Sequence, residues 1–135
     1  MNAVRAYLVV GLGSALGGAA RYACGDLARA LWGERFPWGT IIINVVGSAV
    51  IGGFGELTAP EGRWRVGTLG RQFVMIGICG GYTTFSSFSL QTLNLARAGD
   101  LLGAGGNIVG SVVLCLVAVW LGHVGASALN QSPAA

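Results

Sequence analysis

Lysine is absent from this 135-residue sequence, acidic residues number five and histidine occurs once, so only 10% of the side chains are charged. Soluble domains carry about 25%. With 53% hydrophobic residues and so little charge, the chain cannot dress itself in a water-compatible surface. It reads as a membrane protein. The carboxylates are scarce by position too, since Asp26, Glu34, Glu56, Glu61 and Asp100 all fall toward the ends of apolar stretches or in loops. Proton-coupled exporters depend on an acid embedded at depth, so a drug/proton antiporter is disfavoured. Cysteine is sparse: Cys24, Cys79 and Cys115 are odd in number and far apart, which gives neither a disulfide framework nor a metal site. They read as small apolar packing residues, with Cys115 also on a polar stripe described below, and His123 as a lone interfacial side chain. No nucleophile and base stand together, so the chain is not read as an enzyme. Its net charge of +3 suits loop arginines meeting lipid headgroups, and nothing points to nucleic acid.

What is present is apolar length. Stretches at 6–31, 38–57, 73–95 and 101–122 each reach about the 20 residues that a bilayer-spanning helix needs. The expectation is one all-α unit over residues 1–135, with four spans, short loops and no soluble domain. Arg5, an apolar run and the small residues Gly18, Ala19 and Ala20 resemble a signal peptide, but the apolar character continues past Ala20. Trp32, Trp38, Trp64 and Trp120 lie near the ends of spans, as an interfacial aromatic belt places them.

An even number of spans puts both termini on one side, together with Arg5, Arg63, Arg65 and Arg71, while Arg29, Arg35 and Arg97 face the other. Cytoplasmic loops collect positive charge, and four against three is hardly a bias. The expectation is dual topology, with an antiparallel homodimer as the working form.

The run GLGSALGG, 11–18, superficially resembles a dinucleotide-binding turn but lacks the flanking strand and βαβ unit. In an apolar span such glycines let helices approach closely, and Gly47, Gly52, Gly53 and Gly55 are read the same way. Thr40, Asn44 and Ser48 recur at i, i+4 and i+8 and so share a helix face. Asn107, Ser111 and Cys115 repeat the pattern in the last span. Each stripe could be hydrogen-bond glue worth roughly 0.6 to 2 kcal/mol per bond; two aligned stripes read as the wall of a polar path.

The segment GGYTTFSSFS, 80–89, puts two glycines and five serine and threonine hydroxyls near the middle of the third span. The expectation is a helix loosened at Gly80 and Gly81. Irregular backbone at that depth is tolerated only where protein buries it or it lines a wet cavity. A broken helix frees carbonyls that can hold a cation and N–H groups that favour anions. Phe85 and Phe88, three apart, share a face beyond the break, and aromatic rings carry a positive edge that an anion can follow.

GGAARY (17–22), GTIIINVVGS (39–48) and GICGGYTTFSSFS (77–89) resemble the signature segments of the Fluc (CrcB) fluoride channel family, and the likeness spans the whole chain. The resemblance implies a dual-topology antiparallel dimer in the cell membrane, with two fluoride pores that passively export the anion. It places Asn44, Phe85 and Phe88 in the pore, with Thr40 as a pore-side hydroxyl. It puts the carbonyls of Gly80 and Thr83 around a structural sodium ion at the dimer interface. Arg21 matches a first-helix arginine, placed at a pore vestibule. Ser111 fits a polar track on the last helix, from which Asn107 and Cys115 depart. Thr84 and Ser111 join Asn44 and Thr40 as conventional donors to the ion. The alternatives are a small gradient-coupled transporter whose broken helix binds substrate and a membrane protein whose glycines and hydroxyls only pack.

Overall fold

The computed structural model describes residues 3–132; residues 1, 2 and 133–135 of the expected single unit lie outside them. Four helical spans and no strand occur among the described residues. The first helix is Ala3–Trp32, the second Trp38–Leu57 and the fourth Leu101–Gln131. The third span is composite. Its first half winds without interruption through Thr68–Arg71, a π-helical Gln72–Cys79 and Gly80–Tyr82, and its second half is Phe85–Arg97.

Local chemistry sets the ends. Gly33 closes the first helix at φ +71°, its N–H bonded to the Arg29 carbonyl, and Gly99 closes the third span at φ +82°. A left-handed residue there costs glycine little. The Asp100 carboxylate then accepts from the Gly103 N–H at 2.7 Å and starts the fourth helix. The second helix ends where the Thr58 hydroxyl turns back to donate to the Phe54 carbonyl. Arg71, expected in a loop, belongs instead to the first turn of the third span. Its guanidinium donates to the carbonyls of Gly55 and Thr58 and to the Thr58 hydroxyl, a cation at a helix C-terminus where the dipole favours it.

The expected spans correspond to these helices, but the first and fourth are longer, with 30 and 31 residues. At 1.5 Å per residue they extend over about 45 Å, beyond the roughly 30 Å hydrocarbon core. Hydropathy marks only the lipid-crossing part of a helix, whereas hydrogen bonding continues past it.

Glycine sets the packing. A Cβ on Gly13 would lie 2.9 Å from the Gly77 Cα, and one on Gly81 would lie 2.8 Å from the Ser14 Cα. The first helix and the first half of the third span therefore touch backbone to backbone through two small-xxx-small faces, 13/17 and 77/81. The second and fourth helices, the most extensively packed pair, meet in the same way: Gly52 rests on the Val119 carbonyl and Gly122 on that of Ala49. Between its halves the third span changes partner, from the first helix to the fourth.

Candidate functional site

The third span breaks at Thr83 and Thr84, which are extended at φ −77°, ψ 158° and φ −152°, ψ 111°. This corrects the expected break at Gly80 and Gly81, both of which are helical. The reason is visible in the packing: Gly81 carries no Cβ so that the Ser14 backbone can lie against it, an intact-helix role.

Side chains replace the backbone bonds lost at the break. The Thr84 N–H donates to Asn44 Oδ1 at 2.7 Å, and Asn44 Nδ2 donates back to the Thr84 carbonyl at 3.1 Å. One amide from the second helix thus satisfies both polar groups of the most extended residue. Thr84 in turn caps the second half-helix, its Oγ1 accepting from the Ser87 N–H at 3.2 Å and donating to Ser87 Oγ at 3.0 Å. In an unbroken α-helix the Thr84 and Ser87 N–H groups would bond the carbonyls of Gly80 and Thr83. Both N–H groups now go to side chains, and neither backbone bond forms. The freed carbonyls belong to the two residues expected to hold a cation. Gly47 makes room for this arrangement, since a Cβ there would collide with the Thr83 methyl.

Around the break lies an open cavity of about 360 Å³. Asn44, Thr83, Thr84, Phe85, Phe88 and Ser111 line it, along with Gly80 and Ser48. Of the seven residues expected along the anion path, five, Asn44, Thr84, Phe85, Phe88 and Ser111, converge here. The two rings stand 5.2 Å apart between centroids at an interplanar angle of 47°. Phe88 is 9% exposed, whereas Phe85 is 77% exposed at the cavity's open side.

Thr40 is buried one turn away from Asn44 and lines a second cavity of about 430 Å³ with Arg29, Arg35, Gln91 and Asn94. The two cavities follow one another along the same helices: Thr40 and Asn44 are four apart, Phe88 and Gln91 three apart, and both spacings keep one face. Gln91 was not foreseen, although the 85, 88, 91 spacing marks it. Its Oε1 is buried without a hydrogen-bond partner among the described residues. Arg21, half-buried on the first helix, lines neither cavity.

The fourth-helix stripe divides. Ser111 and Cys115 line the first cavity, but Asn107 does not; it is 0% exposed and lies behind the wall. Asn107 Nδ2 donates to Thr92 Oγ1 at 2.8 Å, the Thr92 hydroxyl donates to the Phe88 carbonyl at 2.8 Å, and Ser111 Oγ donates to Asn107 Oδ1 at 3.2 Å. The expected wall residue is a lock that ties Phe88 and Ser111 to one frame. Asn107→Leu is expected to lower thermal stability by about 1 to 3 kcal/mol, the range for stranding a buried polar partner. Melting of the detergent-solubilised protein checks this, and an unchanged midpoint contradicts the lock.

Residues 8–123 match the family model described as "CrcB-like protein, Camphor Resistance (CrcB)". The chain is 64% identical over 125 residues to the fluoride-specific ion channel FluC of Opitutus terrae, covering 93% of this chain and 95% of that protein. It is 62% identical to the FluC of Methylocella silvestris, with 93% and 95% covered, and 56% identical to that of Rhodospirillum rubrum, with 93% and 97% covered. With four apolar spans, a match over nearly the full span region and identities of this size, the chain is a multi-pass membrane protein that belongs to the CrcB-like family.

Proposed function

We propose that this chain is a fluoride channel that exports the anion passively across the cell membrane, as an antiparallel homodimer with two pores. The observation that carries the reading is the cavity at the break, where Asn44, Thr84, Ser111 and two tilted phenylalanines converge without a carboxylate. A small, strongly hydrated anion needs several donors in place of water. The second Nδ2–H of Asn44 and the ring edges are open to it, and the Thr84 and Ser111 hydroxyls can turn from Ser87 and Asn107 to donate; such neutral groups hold the ion loosely enough for it to leave again. Phe85 supports the dimer: its ring lines the cavity yet is 77% exposed, so a second, inverted copy would close the open side. The near balance of arginines between the two faces suits insertion in both orientations. The freed carbonyls of Gly80 and Thr83 fit a structural sodium ion, since unwound backbone carbonyls are the usual ligands for Na⁺ within membranes. When bound, it would supply a fixed positive charge at the break. Arg21 is read as a vestibule attractor presented to the anion in the dimer.

Fluoride-electrode efflux from reconstituted liposomes tests the reading. Efflux is expected to follow the fluoride gradient and membrane potential alone, with no need for a proton or sodium gradient; gradient dependence would replace the channel with a coupled transporter. Phe85→Ile and Phe88→Ile are each expected to slow efflux about tenfold, the equivalent of losing a strong aromatic edge interaction of roughly 1.5 kcal/mol. Wild-type rates in both variants would remove the rings from the path.

A further inference from the structure

The cavity at the break holds a second set of side chains that anion passage does not use. Met75, Cys79 and Cys115 all line it, three of the five sulfur-bearing side chains in the sequence. They come from two elements: Met75 and Cys79 lie four apart on the π-helical turn of the third span, and Cys115 projects from the fourth helix. Both cysteines are free, and among the described residues neither thiol makes a side-chain hydrogen bond. Cys24, which accepts from the Tyr82 hydroxyl, lies outside the cavity. No group of three His, Cys, Asp or Glu side chains able to hold a metal occurs among the described residues. The set here is of another kind, two thiols and a thioether in a cavity that no carboxylate lines.

We propose that Met75, Cys79 and Cys115 form a binding site for a soft univalent cation, Ag(I) or Cu(I), and that its occupation blocks anion flux. Thiolate and thioether ligands select Cu(I)-type ions over hard cations. The half-buried Cys115 is the thiol that reacts. Its S–H bond breaks as the S–M bond forms, the proton leaves to water, and no oxidation state changes. Met75 and Cys79 add sulfur lone pairs. One thiolate on one univalent ion gives a neutral adduct, which suits a site that no other charged side chain lines. The ion then occupies the cavity that Asn44 and the phenylalanines also line. The block rests on the channel reading; the binding does not.

The test uses the full chain in liposomes, with silver nitrate in chloride-free buffer, since silver fluoride stays dissolved. Ag(I) is expected to stop fluoride efflux, to release one proton per bound ion, and to protect Cys115 from alkylation. Cys115→Ser should raise the half-blocking concentration by about 100-fold or more, given that losing even an outer-shell partner can cost that much. Met75→Leu, which conserves volume, guards against misfolding and should raise it about tenfold. Cys24→Ser should leave it unchanged. Equal block in wild type, Cys115→Ser and Met75→Leu overturns the site. Protection of Cys115 without loss of flux keeps the site and removes this cavity from the ion path.

Discussion

Asn44→Asp is expected to abolish fluoride efflux while leaving the protein folded. The change is one atom in size, but it acts twice. Asn44 Nδ2 is the donor to the Thr84 carbonyl, and an ionised aspartate has no donor to put there. Two oxygens would then face each other at the break, although the carboxylate could still accept from the Thr84 N–H. The substitution also places a negative charge on the wall of the anion's cavity, at a depth where a carboxylate costs about 2.5 to 3.5 kcal/mol to hold and repels the ion it should pass. A barrier raised by about 3 kcal/mol slows flux roughly 100-fold. Asn44→Ala separates the two effects, because it removes both bonds to Thr84 without adding charge. It is expected to retain more flux than the aspartate and to melt earlier, since the buried Thr84 groups lose partners worth about 1 to 3 kcal/mol. Liposome efflux and size-exclusion profiles of the two variants check this. Wild-type efflux from Asn44→Asp would mean that the second-helix asparagine lies off the path.

The order of these effects follows from which parts of the fold could be read in the sequence. The four spans were legible because lipid demands apolar length, and the polar stripes at 40/44/48 and 107/111/115 were legible because helical spacing is regular. The break was legible as a segment but not as a position. Gly80 and Gly81 attract attention as helix breakers, yet what a glycine does depends on its neighbour, and here the Ser14 backbone makes Gly81 a contact residue in an intact helix. The residue that opens the helix is Thr84, and it does so because Asn44, 40 positions away, offers its N–H and C=O a substitute. A bond of that kind leaves no local signature. Asn107, on a stripe that read as hydrogen-bond glue or as a wall, was left open for a related reason. Its spacing to Ser111 puts both on one face, but the face is wide enough that one residue fronts the cavity while the other turns into the Thr92 hydroxyl. The π-helical turn at Gln72–Cys79 had no sequence signal at all.

The same distinction between glycine as breaker and glycine as contact yields a second strong prediction, with opposite signs at adjacent positions. Gly17→Ala is expected to disrupt assembly, and Gly18→Ala to be neutral or stabilising. A Cβ on Gly17 would strike the Ile78 carbonyl and come within 2.8 Å of the Tyr82 nitrogen and 3.1 Å of the Gly81 carbonyl carbon. All three are backbone atoms, so no rotamer change relieves the clash; one helix must move off the other. Overpacking usually costs 1 to 3 kcal/mol, and a rigid collision belongs at about the top of that range. The damage would also spread, because the first helix holds the half of the third span that ends at the break, and a shift there carries Thr83 away from Gly47 and Thr84 away from Asn44. At Gly18 a Cβ meets nothing within 4 Å, and alanine in place of glycine in a helix is worth up to about 1 kcal/mol. Thermal melts of the two variants in detergent, read with efflux, decide the matter. Equal stability of Gly17→Ala and Gly18→Ala would show that the first helix does not hold the third span through these glycines, and the position of the break would then need another support.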